Sequence, residues 1–136
     1  MSAHRYLLDT NILSSLLKQP AGRVAQRIQA VGEDAISTSI IVACELRYGA
    51  AKKDSPALSA RVEQLLSTIE VLPLDEGVDK QYGALRSALE KVGTPIGAND
   101  DLIVAQALSL ALILVTDNWG EFSRVPGLTV ENWLAP

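Results

Sequence analysis

Short apolar runs alternate along the chain with longer stretches whose apolar residues recur every three or four positions, which predicts strands separated by helices. Arg5-Tyr6-Leu7-Leu8 predicts a first strand ending at Asp9, and Asn11 to Lys18 a short helix stopped by Pro20. Val24, Ile28 and Val31 share one helical face before Gly32, and Asp34-Ala35-Ile36-Ser37 predicts a second strand. Ser39 is placed to cap a helix from Ile40 to about Ala51, and Leu58, Val62, Leu65 and Leu66 mark another after Pro56. Glu70 to Leu74 reads as a third strand, with Pro73 marking a strand end or an edge position. A helix from about Gly77 to Val92 carries Tyr82, Leu85 and Leu89 on one face, and Asn99 opens the next, which contains Leu102, Ile103, Ala105, Gln106 and Ala107. Ala111 to Thr116 is the strongest strand signal, expected to be buried on both faces, and Leu128 to Val130 predicts a last strand. Strands interleaved with helices imply an α/β fold around a mainly parallel sheet.

Composition narrows the chemistry. With 136 residues, 48% of them apolar, and no repeat or linker, the chain is read as one domain over 1–136. One cysteine and one histidine exclude an internal disulfide, a cysteine zinc site and the two-histidine helix of zinc proteases. A formal charge of −4 argues against gripping nucleic acid by bulk positive charge, though not against gripping it through a metal. The most apolar run, Leu102 to Val115, is interrupted by Gln106 and Ser109 and falls short of the ~20 residues a membrane span needs. With no apolar leader before Asp9 either, a cytoplasmic location without membrane contact is expected, where Cys44 stays a thiol.

The acids are where the pattern turns toward function. The two best strands both run into an aspartate, in Leu7-Leu8-Asp9-Thr10-Asn11 and Leu114-Val115-Thr116-Asp117-Asn118. Ligands of open α/β sheets bind beyond the carboxyl ends of the strands, so two such acids would point into one crevice; equally, Asp and Asn cap the helices that follow strands. Glu45 is the lone charge in Ile40-Ile41-Val42-Ala43-Cys44-Glu45-Leu46, and either reaches solvent, pairs with Arg47 or Lys52, or meets a cation. Asp100 and Asp101 open a helix whose dipole favours them, and only one can face a crevice because neighbours diverge by ~100°. Carboxylates ~5 Å apart repel by ~3 kcal/mol per pair at an effective dielectric of ~20, so such a cluster calls for protons or a multivalent cation. An all-oxygen set favours Mg²⁺ or Mn²⁺ over zinc.

Taken together these segments resemble the PIN-domain proteins, specifically the VapC-type toxin ribonucleases of bacterial toxin–antitoxin pairs. The resemblance rests on Leu7-Leu8-Asp9-Thr10-Asn11, on Ser39 through Glu45-Leu46-Arg47-Tyr48-Gly49, and on Gly93-Thr94-Pro95-Ile96-Gly97-Ala98-Asn99-Asp100 followed by Ile103, Ala105 and Ala107. It continues in Val115-Thr116-Asp117-Asn118, Glu121-Phe122, Val125-Pro126-Gly127-Leu128 and Glu131-Asn132-Trp133, nearly the whole chain in the family's order. It implies a PIN-like three-layer α/β/α sandwich in which Asp9, Glu45 and Asp100 are the core catalytic and metal-binding acids. Asp117 matches a fourth position that holds Asn or Asp in the family, and Thr10, Asn11, Thr116 and Asn118 match supporting polar groups. Val42 stands where many relatives have threonine, a departure that removes no expected ligand.

The implied reaction is hydrolysis of an RNA phosphodiester with Mg²⁺, or Mn²⁺, held by Asp9, Asp100 and Asp117, leaving a 5′-phosphate and a 3′-hydroxyl. Glu45 either ligates a second ion or orients the nucleophile. Arg47, Lys52 and Lys53, downstream of Glu45, are candidate RNA contacts and equally a solvated helix end. A cognate antitoxin whose C-terminal segment fills the acidic groove, and a homodimer, are also implied. His4 is expected at the surface, and Trp119, Phe122 and Trp133 are read as packing residues. Two other classes compete: a phosphoacceptor signalling domain, which needs a lysine after its last strand that is missing after Val130, and a non-catalytic PIN-fold binding module acting through a partner. Autophosphorylation from a small phosphodonor decides the first, and metal-dependent cleavage lost on Asp9→Asn separates the enzyme from the second.

Overall fold

A computed structural model of the chain describes residues 4–135. Five strands form one sheet: β1 (Tyr6–Leu8), β2 (Ile36–Ser39), β3 (Glu70–Leu72), β4 (Ile113–Val115) and β5 (Val130–Glu131). They lie in the order β3-β2-β1-β4-β5, and every pairing is parallel. The helices between them are α1 (Thr10–Lys18), α2 (Arg23–Val31), α3 (Ile40–Lys53), α4 (Pro56–Thr68), α5 (Val78–Lys91), α6 (Ala98–Leu110) and the single turn α7 (Trp119–Phe122). Every residue of β1 and β2 is buried, as a parallel sheet covered on both faces requires. Leu7, Leu8, Leu114 and Val115 form the middle of the core with Ile12, Leu13, Val42, Ile103 and Val104.

Capping follows the sequence closely. Ser39 Oγ accepts from the backbone N–H of Ile41, and Ser55 Oγ from that of Leu58, with Pro56 in the first turn of α4. Asp9 caps α1 itself, its Oδ1 accepting from Thr10 N–H at 2.8 Å. Pro73 follows directly on β3, which is an edge strand as well.

Four expectations shift, the first being the third strand, which ends at Leu72 rather than Leu74 because Pro73 has no N–H to give the ladder. The second strand is Ile36–Ser39 rather than 34–37, because Glu33–Ala35 turns as a 3₁₀ helix after Gly32, whose φ of 94° no β-branched residue would favour. Ala111 is not strand but the C-cap of α6, in the left-handed region at φ 55°, so β4 starts only at Ile113. The last strand is Val130–Glu131 rather than 128–130, since Leu128 closes a turn onto the carbonyl of Val125.

Candidate active site

The chain order reverses between β1 and β4, which neighbour each other but are far apart in sequence, and a cavity opens at their carboxyl ends. It has a volume of about 600 Å³ and is lined by Asp9, Glu45 and Asp100, with Thr10, Asn11 and Asn118 among its polar neighbours. Asp9 reaches it from the end of β1, Glu45 from α3 and Asp100 from the first turn of α6.

Asp9 is 5% exposed. Burial pushes its carboxyl above the ordinary aspartate value, opposed by hydrogen bonds from Thr10 N–H and the Thr116 hydroxyl, while Glu121 pushes it further up. The Thr116 hydroxyl donates to Asp9 Oδ2 at 2.8 Å and accepts from Asn118 N–H at 3.1 Å. Glu45 is half-buried, and its Oε1 accepts from the Thr10 hydroxyl at 2.8 Å. Asp100 is raised from 3.8 to about 6, first by desolvation and then by Asp9, Glu121, Glu45 and Asp101. Every charge acting on it is a carboxylate. Mutual repulsion of this kind is what a hard multivalent cation would offset.

Glu121 is the member of this cluster that sequence reasoning gave no role. It sits on α7, acts on Asp9, Asp100 and Asp101, and takes a 2.7 Å hydrogen bond from Asn118 Nδ2. Its spacing of three from Asn118 was the available signal, since both then lie on one side of a helical turn. Asp117 is exposed instead; its Oδ1 accepts from Asn132 Nδ2 at 3.3 Å, and its N–H donates to Asn11 Oδ1 at 3.1 Å. Asp101 turns away from Asp100 and is 2% exposed, raised by burial and lowered by Arg86 of α5.

The sequence matches the PIN domain family over residues 6–128. The chain belongs to that family, among its VapC-type ribonucleases. It is 35% identical over 130 residues to the "tRNA(fMet)-specific endonuclease VapC" of Salmonella typhimurium, covering 95% of this chain and 98% of the relative. It is 37% identical over 132 residues to "Ribonuclease VapC2" of Haemophilus influenzae, covering 96% and 98%. Among solved structures, VapBC2 from Rickettsia felis bound to a promoter DNA fragment superposes with a TM-score of 0.88 at 34% identity, covering 94% of this chain and 98% of that one. DNA-bound VapBC from Salmonella typhimurium gives 0.87 at 34% identity, covering 96% and 98%.

The donors of this PIN domain suit a hard divalent cation: all are carboxylate or hydroxyl oxygens, and the charge on Asp9, Glu45, Asp100 and Glu121 has no basic partner acting on Asp9 or Asp100. Among the described residues no three acidic, histidine or cysteine side chains close tightly enough on one point to cage an ion as they stand.

The basic residues downstream of Glu45 fall differently. Arg47 is held by both oxygens of Glu63, at 2.8 and 2.9 Å, so its guanidinium is already engaged. Lys52 and Lys53 are exposed in the last turn of α3, and of the two only Lys53 borders the groove beside the cavity. His4 lies half-buried just ahead of β1. Phe122 and Trp133 are packed at 1% and 3% exposure, but Trp119 is not a packing residue: it is 56% exposed because α7 is a single turn with one inward face.

Proposed function

We propose that this chain is a metal-dependent endoribonuclease, the toxin of a toxin–antitoxin pair, acting as one domain in the cytoplasm. The observation that carries the reading is the meeting of Asp9, Glu45 and Asp100, from three distant segments, in one cavity at the carboxyl ends of β1 and β4. The names of its relatives, an endonuclease specific for tRNA(fMet) and several ribonucleases, support RNA as the substrate. A bound Mg²⁺ or Mn²⁺ supplies a Lewis acid for the scissile phosphate and lowers the pKa of the attacking water.

The chain's own groups do the rest. Asp9 and Asp100 would hold the cation, and Glu121 or Asp117 would complete the oxygen set. Asp9 is held rigidly for this by Thr116 and Thr10. Glu45, aimed by the Thr10 hydroxyl, either takes part in holding a second ion or accepts the proton of the nucleophile. In-line displacement at phosphorus then leaves a 5′-phosphate and a 3′-hydroxyl.

The partners we infer are an antitoxin protein and a second copy of the chain. Solved relatives in the form of VapBC toxin–antitoxin complexes support the antitoxin. Among the described residues no helix is long and apolar enough to cross a membrane.

The test is cleavage of purified RNA with Mg²⁺ or Mn²⁺, with the new ends sequenced. Wild type should cut at defined sites, lose activity to a chelator and regain it with metal, while Asp9→Asn and Asp100→Asn fall at least ~100-fold, as expected when a group acting in the transition state is removed. Equal cutting by wild type and Asp9→Asn would sink the proposal.

A further inference from the structure

One wall of the acidic cavity is a single face of α1. Asn11, Ser14, Ser15, Lys18 and Gln19 all line it together with Asp9, Glu45 and Asp100. Their offsets of three, four, seven and eight place them on one helical stripe, while Ile12 and Leu13 on the other side are buried in the core. A polar stripe of this kind ordinarily meets bulk water. Here it runs away from the acids along the cavity for the length of the helix.

The stripe ends in a cation. Lys18 is exposed, and no carboxylate among the described residues pairs with it. It also borders the adjoining groove, which shares Thr10, Ser14 and Glu45 with the cavity. Nine residues of helical rise separate it from Asp9 by about 13 Å, a distance of a few phosphates along a nucleic acid strand. A polyanion crossing a cluster of carboxylates is repelled wherever the cation does not reach, so it needs positive charge further along its path.

We propose that Lys18 is a substrate-positioning residue: its ammonium holds a backbone phosphate of the RNA a few nucleotides from the scissile bond, with Ser14, Ser15 and Gln19 contacting the strand between. The inference rests on the ribonuclease reading above. Hydroxyl, amide and ammonium groups are the usual partners of phosphate and sugar oxygens, and they fix register without reading sequence. A contact this far from the reacting atoms binds substrate and transition state alike, so its loss raises KM and leaves kcat. A last-turn lysine also complements the helix dipole, but that role bears on stability rather than on RNA affinity.

The test compares wild type with Lys18→Gln, Lys18→Arg and Lys91→Gln, the last an exposed lysine at the end of α5 outside both cavities. Binding of a labelled, mixed-sequence single-stranded oligoribonucleotide is followed by anisotropy across a salt series, with Asp9→Asn added to each chain to prevent cutting. Steady-state cleavage by the same set without that substitution gives KM and kcat. Lys18→Gln should weaken binding about 5–10-fold and flatten the logarithmic salt slope by about 0.7. KM should rise with kcat unchanged, Lys18→Arg should restore both, and Lys91→Gln should behave as wild type.

Wild-type affinity and slope in Lys18→Gln would overturn the assignment. Equal shifts in Lys18→Gln and Lys91→Gln would overturn it in favour of bulk charge, and weakened antitoxin binding with intact RNA binding would overturn it in favour of a protein contact. A wild type that neither binds nor cuts RNA with Mg²⁺ defeats the ribonuclease reading itself, an outcome separate from all of these.

Discussion

Asp9 does two jobs with one side chain. Its Oδ1 caps α1 and its Oδ2 takes the Thr116 hydroxyl, so a carboxylate 5% exposed keeps donors on both oxygens. Thr116→Val keeps the shape and removes one of them. Leaving a buried acceptor short of a donor costs ~1–3 kcal/mol, and freeing a ligand's orientation weakens metal binding ~10–100-fold. Urea unfolding and Mn²⁺ titration should register both losses, and a variant matching wild type in the two assays would show the hydroxyl to be idle. Asp100 sets a pH dependence. Its folded value of about 6 exceeds 3.8, so the native state binds its proton more tightly than the unfolded chain does. The metal-free protein should therefore be most stable, as far as this group is concerned, near and below pH 4, and lose that stability as pH rises through about 6. Asp9 works in the same direction. Thermal melts of chelated protein from pH 4.5 to 7.5 should show the decline, flattened in Asp100→Asn and opposed by Mg²⁺ at the upper end. A decline of equal steepness in that variant would rule Asp100 out as its source.

Elements matter here through their first turns. Both α1 and α6 begin at the cavity, and α6 brings Asp100 in with Gly97 as its N-cap. A Cβ on Gly97 would stand 3.2 Å from Asp100 Oδ2, close enough to displace the carboxylate by a few tenths of an ångström. The backbone there, at φ −61°, suits alanine. Gly97→Ala should thus cost under ~1 kcal/mol in stability, yet weaken Mn²⁺ binding and cleavage clearly more than it lowers the melting temperature. Unchanged metal affinity would mean that Asp100 has room the structure does not suggest. Helices with regular apolar spacing or a recognisable start, such as α3 after Ser39 and α4 at Pro56, were legible in the sequence. Strand ends were less so. Ala111 has a strand-compatible side chain, but its backbone closes α6 in the left-handed region, a choice made by the helix end and not by the residue.

For the whole molecule, the sheet order is what makes a site out of scattered acids. Placing β1 between β2 and β4 opens the crevice where the strand order reverses, and α3 and α6 meet there with their carboxylates. Away from the site, Gln106 of α6 is wholly buried and donates to the carbonyls of Leu72 and Pro73 at 3.1 and 2.9 Å, tying the helix to the end of edge strand β3. Gln106→Met should destabilise by ~1–3 kcal/mol, because two carbonyls lose their donor, while cleavage per folded molecule stays near wild type. A kcat that falls in step with stability would instead join that anchor to the active site.

The sequence by itself determined the α/β class, the six longer helices with the Ser39 cap, and the candidacy of Asp9, Glu45 and Asp100, since periodicity, capping chemistry and acids at strand and helix ends are local properties of the chain. Tertiary structure alone decided the rest. It turned Asp101 toward Arg86 and into the interior, left Asp117 at solvent beside Asn132, and brought Glu121 of a single-turn helix into the field of Asp9 and Asp100. It engaged Arg47 with Glu63 and left Lys18 open on the cavity wall. Which of several similar charges meet depends on how helices seat on the twisted sheet, and the energy that sets this comes from burying Leu7, Leu114, Val42 and Ile103, residues that carry no charge at all.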